Sequence, residues 1–352
     1  MSRVAVRARA PDWFQPGWTA DIGDHVSALA WSPNGQILAA AAISGPVYLF
    51  NADGSRIAEL HGHAFATVAA AWGSPMLATA GQDAKVRLWN PQTWNCEAEL
   101  GAGAPWVECI GWSRNGACLA SGAGRTLSFW SDAGDLIREC PPHASTITDI
   151  AWHPLRQVLA AACYGGITLW RPDATEAIRR FEYKGSLLAI AWSPDGRMLA
   201  SGNQDDSVHL WFVDSAKDLH MSGFARKVRE LAWSADSRFL ASGGTQDVIV
   251  WDCSGKGPDG RRPLQLEHHS APVSSLAFQP SGSVLASGCD SGRVVLWRPR
   301  SSSKALRATR LEGAISRLAW TPDGSCLAVG TGAGVVATFA PPHADAMGGQ
   351  QL

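Results

Sequence analysis

Two groups of cysteine and histidine lie close enough in the chain to raise metal chemistry. Cys140 and His143 are three residues apart, with Cys163 in the segment that follows, and His268 and His269 stand near Cys289. A structural zinc takes four convergent nitrogen or sulfur ligands. Neither group offers four, so no metal and no cofactor are expected. Signatures of covalent or metal-assisted hydrolysis are missing as well: there is no GxSxG, no HExxH and no P-loop. The Asp residues recur in turns at one fixed spacing, and no pair can be assigned as catalytic acid and base. The chain is therefore expected not to be an enzyme.

The elements that carry these residues repeat. An Ala-aromatic or Gly-aromatic pair recurs with Trp31, Trp72, Trp112, Trp152, Trp192, Trp233, Phe278 and Trp320 as its aromatic member, 40 to 45 residues apart. A second series, Phe50, Trp89, Trp130, Trp170, Trp211, Trp251, Trp297 and Phe339, trails the first by 17 to 19 residues. Two series that stay in step eight times mark an internal repeat. Composition agrees: 36 Gly and 17 Trp in 352 residues call for many tight turns and many separate indole sites. A hydrophobic share of 46% and a charged share of 17% exclude a charged disordered tail. A formal net charge of -1 gives no general attraction to nucleic acid. No apolar run is long enough for a membrane span or a signal peptide, and the eight Cys follow no disulfide framework, so a cytoplasmic location with reduced thiols is expected.

Within each unit, a turn follows the first aromatic: Ser-Pro-Asn-Gly at 32–35, Ser-Pro-Asp-Gly at 193–196, Thr-Pro-Asp-Gly at 321–324. A short apolar strand comes next, then a Gly/Asp turn, then a strand that ends on the second aromatic. Four- to six-residue strands between Pro, Asp and Gly turns predict an all-β fold. A unit of about 40 residues cannot bury its own faces, whereas stacked neighbours can. In this pattern the chain resembles the WD40 repeat family over roughly residues 18–340. The resemblance implies a closed β-propeller. Members of that family most often have seven blades, but eight phased units predict an eight-bladed ring here. Pro341 and Pro342 end the last unit before a fourth strand, since Pro donates nothing to a ladder. Trp18 to Ile22 is expected to complete the last blade as its outer strand. The chain then divides into an N-terminal extension (1–17), one propeller domain (18–340) and a flexible tail (341–352), with Trp13 and Phe14 near the closing edge. Arg outnumbers Lys 24 to 6, which suggests a GC-rich source and a bacterial member of the family.

The resemblance also implies roles. In WD40 repeats a His before the first strand, a Ser or Thr on the second, an Asp in the following turn and the Trp of the third form a hydrogen-bonded set. His63, Thr79, Asp83 and Trp89 match it in full. His143 and His269 occupy the His position in units four and seven, and Asp205 the Asp position in unit five without a His partner. These residues are expected to staple blades rather than to react, because a buried indole N–H needs an acceptor.

In a propeller of this kind the d–a loops and b–c turns open on one face, the top. Six residues before each anchor aromatic, at the rim of the central channel, His25, Trp106 and Lys227 stand out, and Gln82, Gln204 and Asp290 fall just before the turn position. These six are the candidate partner-binding residues, since an exposed aromatic among polar groups suits an interface. Strand a lines the channel with Cys109, Asp149, Glu230 and Arg317 three residues before the anchors, and with Glu108 and Arg229 one place earlier. On the opposite face, the links after Trp251 and Trp297 carry Lys256, Arg261, Arg262, Arg298, Arg300, Lys304, Arg307 and Arg310, a sector that could dock an acidic partner. It lacks aromatics for base stacking, which argues against nucleic acid. The expectation is a non-catalytic scaffold that holds a protein or peptide on the top face. Two alternatives are a metal- or ligand-sensing accessory protein using top-edge His and Cys, and an enzyme using the channel charges around Glu108, Asp149, Glu230 and Arg317.

Overall fold

The computed structural model describes residues 16–74, 76–104, 106–215 and 217–340. The expected tail and most of the expected N-terminal extension, with Trp13 and Phe14, lie outside the described residues. Every regular element among the described residues is a β-strand, and the strands within each sheet pair antiparallel.

Five units share a local device in the a–b turn. In unit one the Ser32 hydroxyl donates to Asn34 Oδ1 (2.7 Å) and accepts from the Ile37 N–H (2.9 Å), while Gly35 takes φ 69°. The same exchange recurs at Ser113, Ser193, Ser234 and Thr321. A short polar side chain at the turn bonds its own backbone, so the chain reverses without help from distant residues. After the turn, a Leu faces the anchor aromatic across the ladder: Leu38 opposite Trp31, Leu77 opposite Trp72, Leu119 opposite Trp112, Leu159 opposite Trp152. These leucines have no exposed surface, and they seed the core between blades.

The innermost strands meet in chain order: Val26–Trp31, Thr67–Trp72, Val107–Trp112, Asp149–Trp152, the end of Arg179–Trp192, Leu231–Trp233, Val273–Phe278 and Ile315–Trp320, which returns to Val26–Trp31. The circuit is closed on the outside by Pro16–Asp21, which pairs with Val335–Phe339 through Thr19 opposite Ala337 and Asp21 opposite Val335. The latching strand thus starts two residues before the expected Trp18.

The expectation of eight separate blades is corrected. Hydrogen bonding groups the strands into seven sheets, six of four strands and one of six. The six-stranded sheet carries both Trp152 and Trp192. In unit four the b and c segments run on as one strand, Leu159–Trp170, and the d segment continues into the next inner strand as Arg179–Trp192. Gly165 and Gly166 permit the first continuity. Gly166 has φ 133°, and a Cβ there would lie 2.0 Å from the Phe181 carbonyl oxygen, so only glycine fits. The dipeptide reads as a turn in the sequence but lies inside a long strand, opposite a bulge whose extra residues, Tyr183, Lys184 and Gly185, sit on the partner strand.

Neighbouring units are joined by a repeated bond. The Trp72 indole N–H donates to the Ala30 carbonyl (3.0 Å), Trp112 to Ala71 (3.2 Å), Trp152 to Gly111 (2.8 Å) and Trp192 to Ala151 (3.0 Å). Trp233 reaches Ala191, Trp320 reaches Ala277, and Trp31 reaches Ala319 across the closure (3.1 Å each). Phe278 has no N–H to offer. Replacing Trp152 by Phe keeps most of the buried ring and deletes one such donor. The expected cost is about 1–2 kcal/mol, read as a lower urea midpoint at unchanged slope; an unchanged midpoint would show that the bond contributes nothing.

Candidate functional site: the staples and the top face

Unit two holds a four-residue chain of hydrogen bonds. Trp89 Nε1 donates to Thr79 Oγ1 (2.9 Å), which lies 2.8 Å from His63 Nε2, and His63 Nδ1 lies 2.9 Å from Asp83 Oδ1. The Asp83 carboxylate can only accept, so Nδ1–H faces it, although Arg87 Nη1 also lies 2.8 Å from Nδ1, and the Thr79 hydroxyl, which accepts from the indole, gives its proton to Nε2. Arg87 Nη1 donates to Asp83 Oδ2 (2.8 Å), and its Nε donates to Glu99 Oε1 (3.0 Å). Burial alone would raise the Asp83 carboxyl, but the bonds from Arg87 and His63 hold it well below the usual carboxylate range. Burial lowers His63 against the pull of Asp83, which keeps the ring neutral.

The other units vary this set. In unit seven His269 Nε2 lies 2.7 Å from Ser287 Oγ, which also accepts from Trp297 Nε1 (2.7 Å); burial and the charges of His268 and Arg293 push its imidazole down to about 4. In unit four Trp170 Nε1 donates straight to His143 Nε2 (3.2 Å), because Ala161 stands where Thr79 would. In unit five the Tyr183 hydroxyl donates to Asp205 Oδ2 (2.6 Å), and Ser207 Oγ donates to Asp205 Oδ1 (2.6 Å). Tyr183 stands nine residues before Trp192, the offset of His63 before Trp72. The spacing could have found it, had the search not been limited to His.

The b–c turns and d–a loops meet at one end of the ring. The Gln82 N–H donates to the Ala66 carbonyl (2.9 Å), Gln204 to Ser186 (3.0 Å), Asp290 to Pro272 (3.0 Å), and Ile43 to His25 (2.9 Å). Each bond ties a turn to the rim position of its own unit. His25, Trp106, Lys227, Gln204 and Asp290 are exposed there and Gln82 is half-buried. They are spread around the rim rather than gathered in one cluster. Trp106 is 57% exposed. Three apolar neighbours that sequence reasoning missed accompany it: Ile43, Phe65 (67% exposed) and Tyr164 (58%). They fall in consecutive units one to four, so the arc from Ile43 to Tyr164 covers one side of the face. Only the fold reveals exposure; the residue types alone would suit a core.

One channel charge, Asp149, is engaged in structure. Asp149 accepts the N–H of Ile150 (2.9 Å) and of Ile190 on the next inner strand (2.8 Å), and burial raises its carboxyl to about 6. Burial also raises Glu230, and burial lowers Arg317 against the pull of Glu230. All eight cysteines are unpaired, and burial pushes the Cys140 thiol up to about 12. Among the described residues no three His, Cys, Asp or Glu converge as a metal set, and no helix is long and apolar enough to cross a membrane. The basic sector is partly neutralised: Arg261 pairs with Asp252 (3.1 Å) and Arg300 with Asp236 (3.7 Å). Arg310 does not belong to the opposite face, for its Nε donates to the Ser291 carbonyl (3.0 Å) in a b–c turn.

A ring of small antiparallel sheets, latched by its first strand and stapled from His or Tyr to the aromatic of the third strand, defines a closed β-propeller. The family described as WD domain, G-beta repeat matches residues 18–45, 54–90, 94–131, 134–171, 177–211, 219–252 and 260–298. The chain belongs to that WD40 family. Curated relatives include THO complex subunit 3 of Arabidopsis thaliana, 30% identical over 29% of this chain and 35% of that protein. Anaphase-promoting complex subunit cdc20 of Dictyostelium discoideum is 25% identical over 51% of this chain and 38% of its own length. The chain thus spans less than half the length of these relatives. Both are eukaryotic, and the bacterial origin expected from Arg usage finds no support among them. A computationally designed protein, Ika8, shares the fold with a TM-score of 0.78 at 19% identity, over 91% of this chain and 97% of that one.

Two measurements test the site chemistry. Thr79→Val keeps the shape but strips the acceptor from Trp89 and the donor from His63, and is expected to cost about 2–3 kcal/mol in denaturant unfolding. Asp149 should leave a pH signature. Its folded carboxyl holds a proton up to about 6, whereas the unfolded side chain releases it near 3.8. The folded state therefore binds more protons in that window, and stability from this group falls as pH rises through it. Subtracting the stability of Asp149→Asn from that of the wild type should give a difference that drops by on the order of 2 kcal/mol between pH 4 and 7; a flat difference would contradict the assignment.

Proposed function

We propose that the protein is a non-catalytic scaffold that holds a protein or peptide partner on the top face of the propeller. The observation that carries this reading is the arc of Ile43, Phe65, Trp106 and Tyr164, apolar side chains exposed on loops tied to rigid strands. Aromatic anchors on a preformed surface bind at low ordering cost. His25, Lys227, Gln82, Gln204 and Asp290 supply polar contacts around the same rim. Relatives whose names make them subunits of a THO complex and of an anaphase-promoting complex support a role in assemblies.

The channel reading is weaker on chemical grounds. Both Asp149 oxygens are committed to backbone N–H groups, so this acid joins two strands instead of facing a substrate. The basic loops after Trp251 and Trp297 remain a secondary docking surface for an acidic partner, reduced by the pairs to Asp252 and Asp236. Eight unpaired thiols suit a reducing compartment, and we place the protein in the cytoplasm.

The test compares partner capture from native extract by the wild type, by Trp106→Ala with Phe65→Ala, and by Lys256→Ala with Lys304→Ala. Loss of one specific partner in the first variant is expected, with stability within about 0.5 kcal/mol of wild type, since both side chains are exposed. Capture that survives the aromatic changes and fails in the lysine variant would move the interface to the opposite face.

A further inference from the structure

Units two and four share a backbone plan but differ in charge at one place. In unit two the His63 Nδ1–H has Asp83 as its acceptor, and Arg87 faces Glu99 across the ladder. In unit four the turn is Tyr164-Gly165-Gly166 and supplies no acid, while Thr168 faces Arg180 in the register of Arg87 and Glu99. The carboxylates are gone and a cation has taken the place of one of them.

The proton position on His143 follows from its partner. Trp170 Nε1–H can only donate, so His143 Nε2 must present its lone pair and the ring proton sits on Nδ1. His143 is 6% exposed, and its Nδ1 is buried with no hydrogen-bond partner among the described residues. Burial lowers the His143 imidazole, and the Arg125 carbonyl, which accepts the His143 backbone N–H (2.9 Å), pulls it back up, although that carbonyl is not aligned to take the Nδ1 proton. A buried N–H without an acceptor loses the hydrogen bond that water would have given it. His143 lines a cavity of ≈ 200 Å³ together with Cys163, Thr168, Trp170, Ala177 and Arg180. No acid lines it, and the Cys163 thiol is spent on the Tyr164 carbonyl. Ala177 and Arg180 are exposed, so the cavity reaches solvent.

We propose that this cavity is a carboxylate socket, in which His143 Nδ1–H, the Arg180 guanidinium and the Thr168 hydroxyl receive a carboxylate from a binding partner at the place where unit two uses its own Asp83. Charge-assisted bonds of this kind are the strong ones, and a guanidinium fork suits a carboxylate. A metal ion is the wrong occupant. Coordination by Nδ1 would drive the ring proton onto Nε2, against the indole N–H, and Arg180 would add a repelling charge. Cys140, paired with His143 on sequence spacing, does not line the cavity. The source of the carboxylate is either an acidic side chain of a polypeptide, which would deepen the scaffold reading, or a free small carboxylate, which does not rest on it.

The experiment uses the full chain with ¹⁵N-labelled histidine. Sodium acetate is titrated at constant ionic strength against sodium chloride, following the His143 Nδ1–H resonance and the melting temperature. The expected result is a saturable shift and a higher Tm with acetate, none with chloride, and at least tenfold weaker acetate binding by Arg180→Gln. Because Arg180 is exposed, that variant should melt close to wild type; Arg180→Lys, which keeps charge without the fork, should fall between. A capped Ala-Glu-Ala peptide then distinguishes the sources, with Ala-Gln-Ala as control. Binding tenfold tighter than acetate assigns a polypeptide acid, and equal or weaker binding assigns a free carboxylate. Equal response to acetate and chloride, no response to either, or stoichiometric zinc in place of acetate overturns the proposal. Those outcomes leave the Trp106 experiment untouched, so the two readings can fail separately.

Discussion

The ring depends on one bond, from the indole of each anchor tryptophan to the backbone carbonyl just before the anchor of the preceding unit. It explains why the repeated dipeptide is Ala-Trp or Gly-Trp. The residue whose carbonyl is approached must be small, or its side chain would crowd the arriving ring. The bond also fixes spacing, since each donor measures its distance from its neighbour and the last, Trp31 to Ala319, measures the closure. Phe278 is the exception. A cavity of ≈ 280 Å³ opens beside it, lined by Ser234, Phe239, Pro299 and Arg300.

The same bookkeeping of donors governs the third strand. Where its aromatic is Phe50 or Phe339, no N–H needs an acceptor. The b-strand position is then apolar, Ala40 or Val329, and the residue nine before the anchor is Ile22 or Leu311, each packed in the same cluster as its Phe. Where the aromatic is Trp, a hydroxyl appears: Thr79, Ser121, Ser242 or Ser287 accepts the indole proton. Units four and five depart from it: Trp170 donates to His143 directly, and in unit five the Ser201 hydroxyl bonds Asn203 (2.8 Å). Satisfying a buried donor is therefore the constraint, and the identity of the acceptor is free to vary.

Much of this was legible in the chain. The phase of the two aromatic series placed the strands, and the prolines after Phe339 pointed to an outer strand from the N-terminal side. The merger of units four and five was not legible, because Gly165-Gly166 carries the composition of a turn while its dihedrals carry the strand past a bulge on its partner. Tyr183 was hidden by the assumption that only His can reach the Asp. The functional face was half legible: offset arithmetic located Trp106 and its rim. Phe65 and Tyr164 could not be told from core aromatics until the loops that hold them outward were known.

The departures from the repeat can now be sorted by physics. Replacing Thr79 by Ala161 is compensated, since the indole finds the imidazole. Replacing His63 by Tyr183 is compensated, since a phenol hydroxyl reaches Asp205 as well. Losing the acid of unit four is not compensated within the chain: the proton it would hold stays on His143 Nδ1, and the neighbouring charge has turned from Glu99 to Arg180. Unit seven leaves the same atom open, since His269 Nδ1 is also buried without a partner among the described residues; at His143 the open donor shares a solvent-reaching cavity with the Arg180 cation, and an outside acceptor would meet both there.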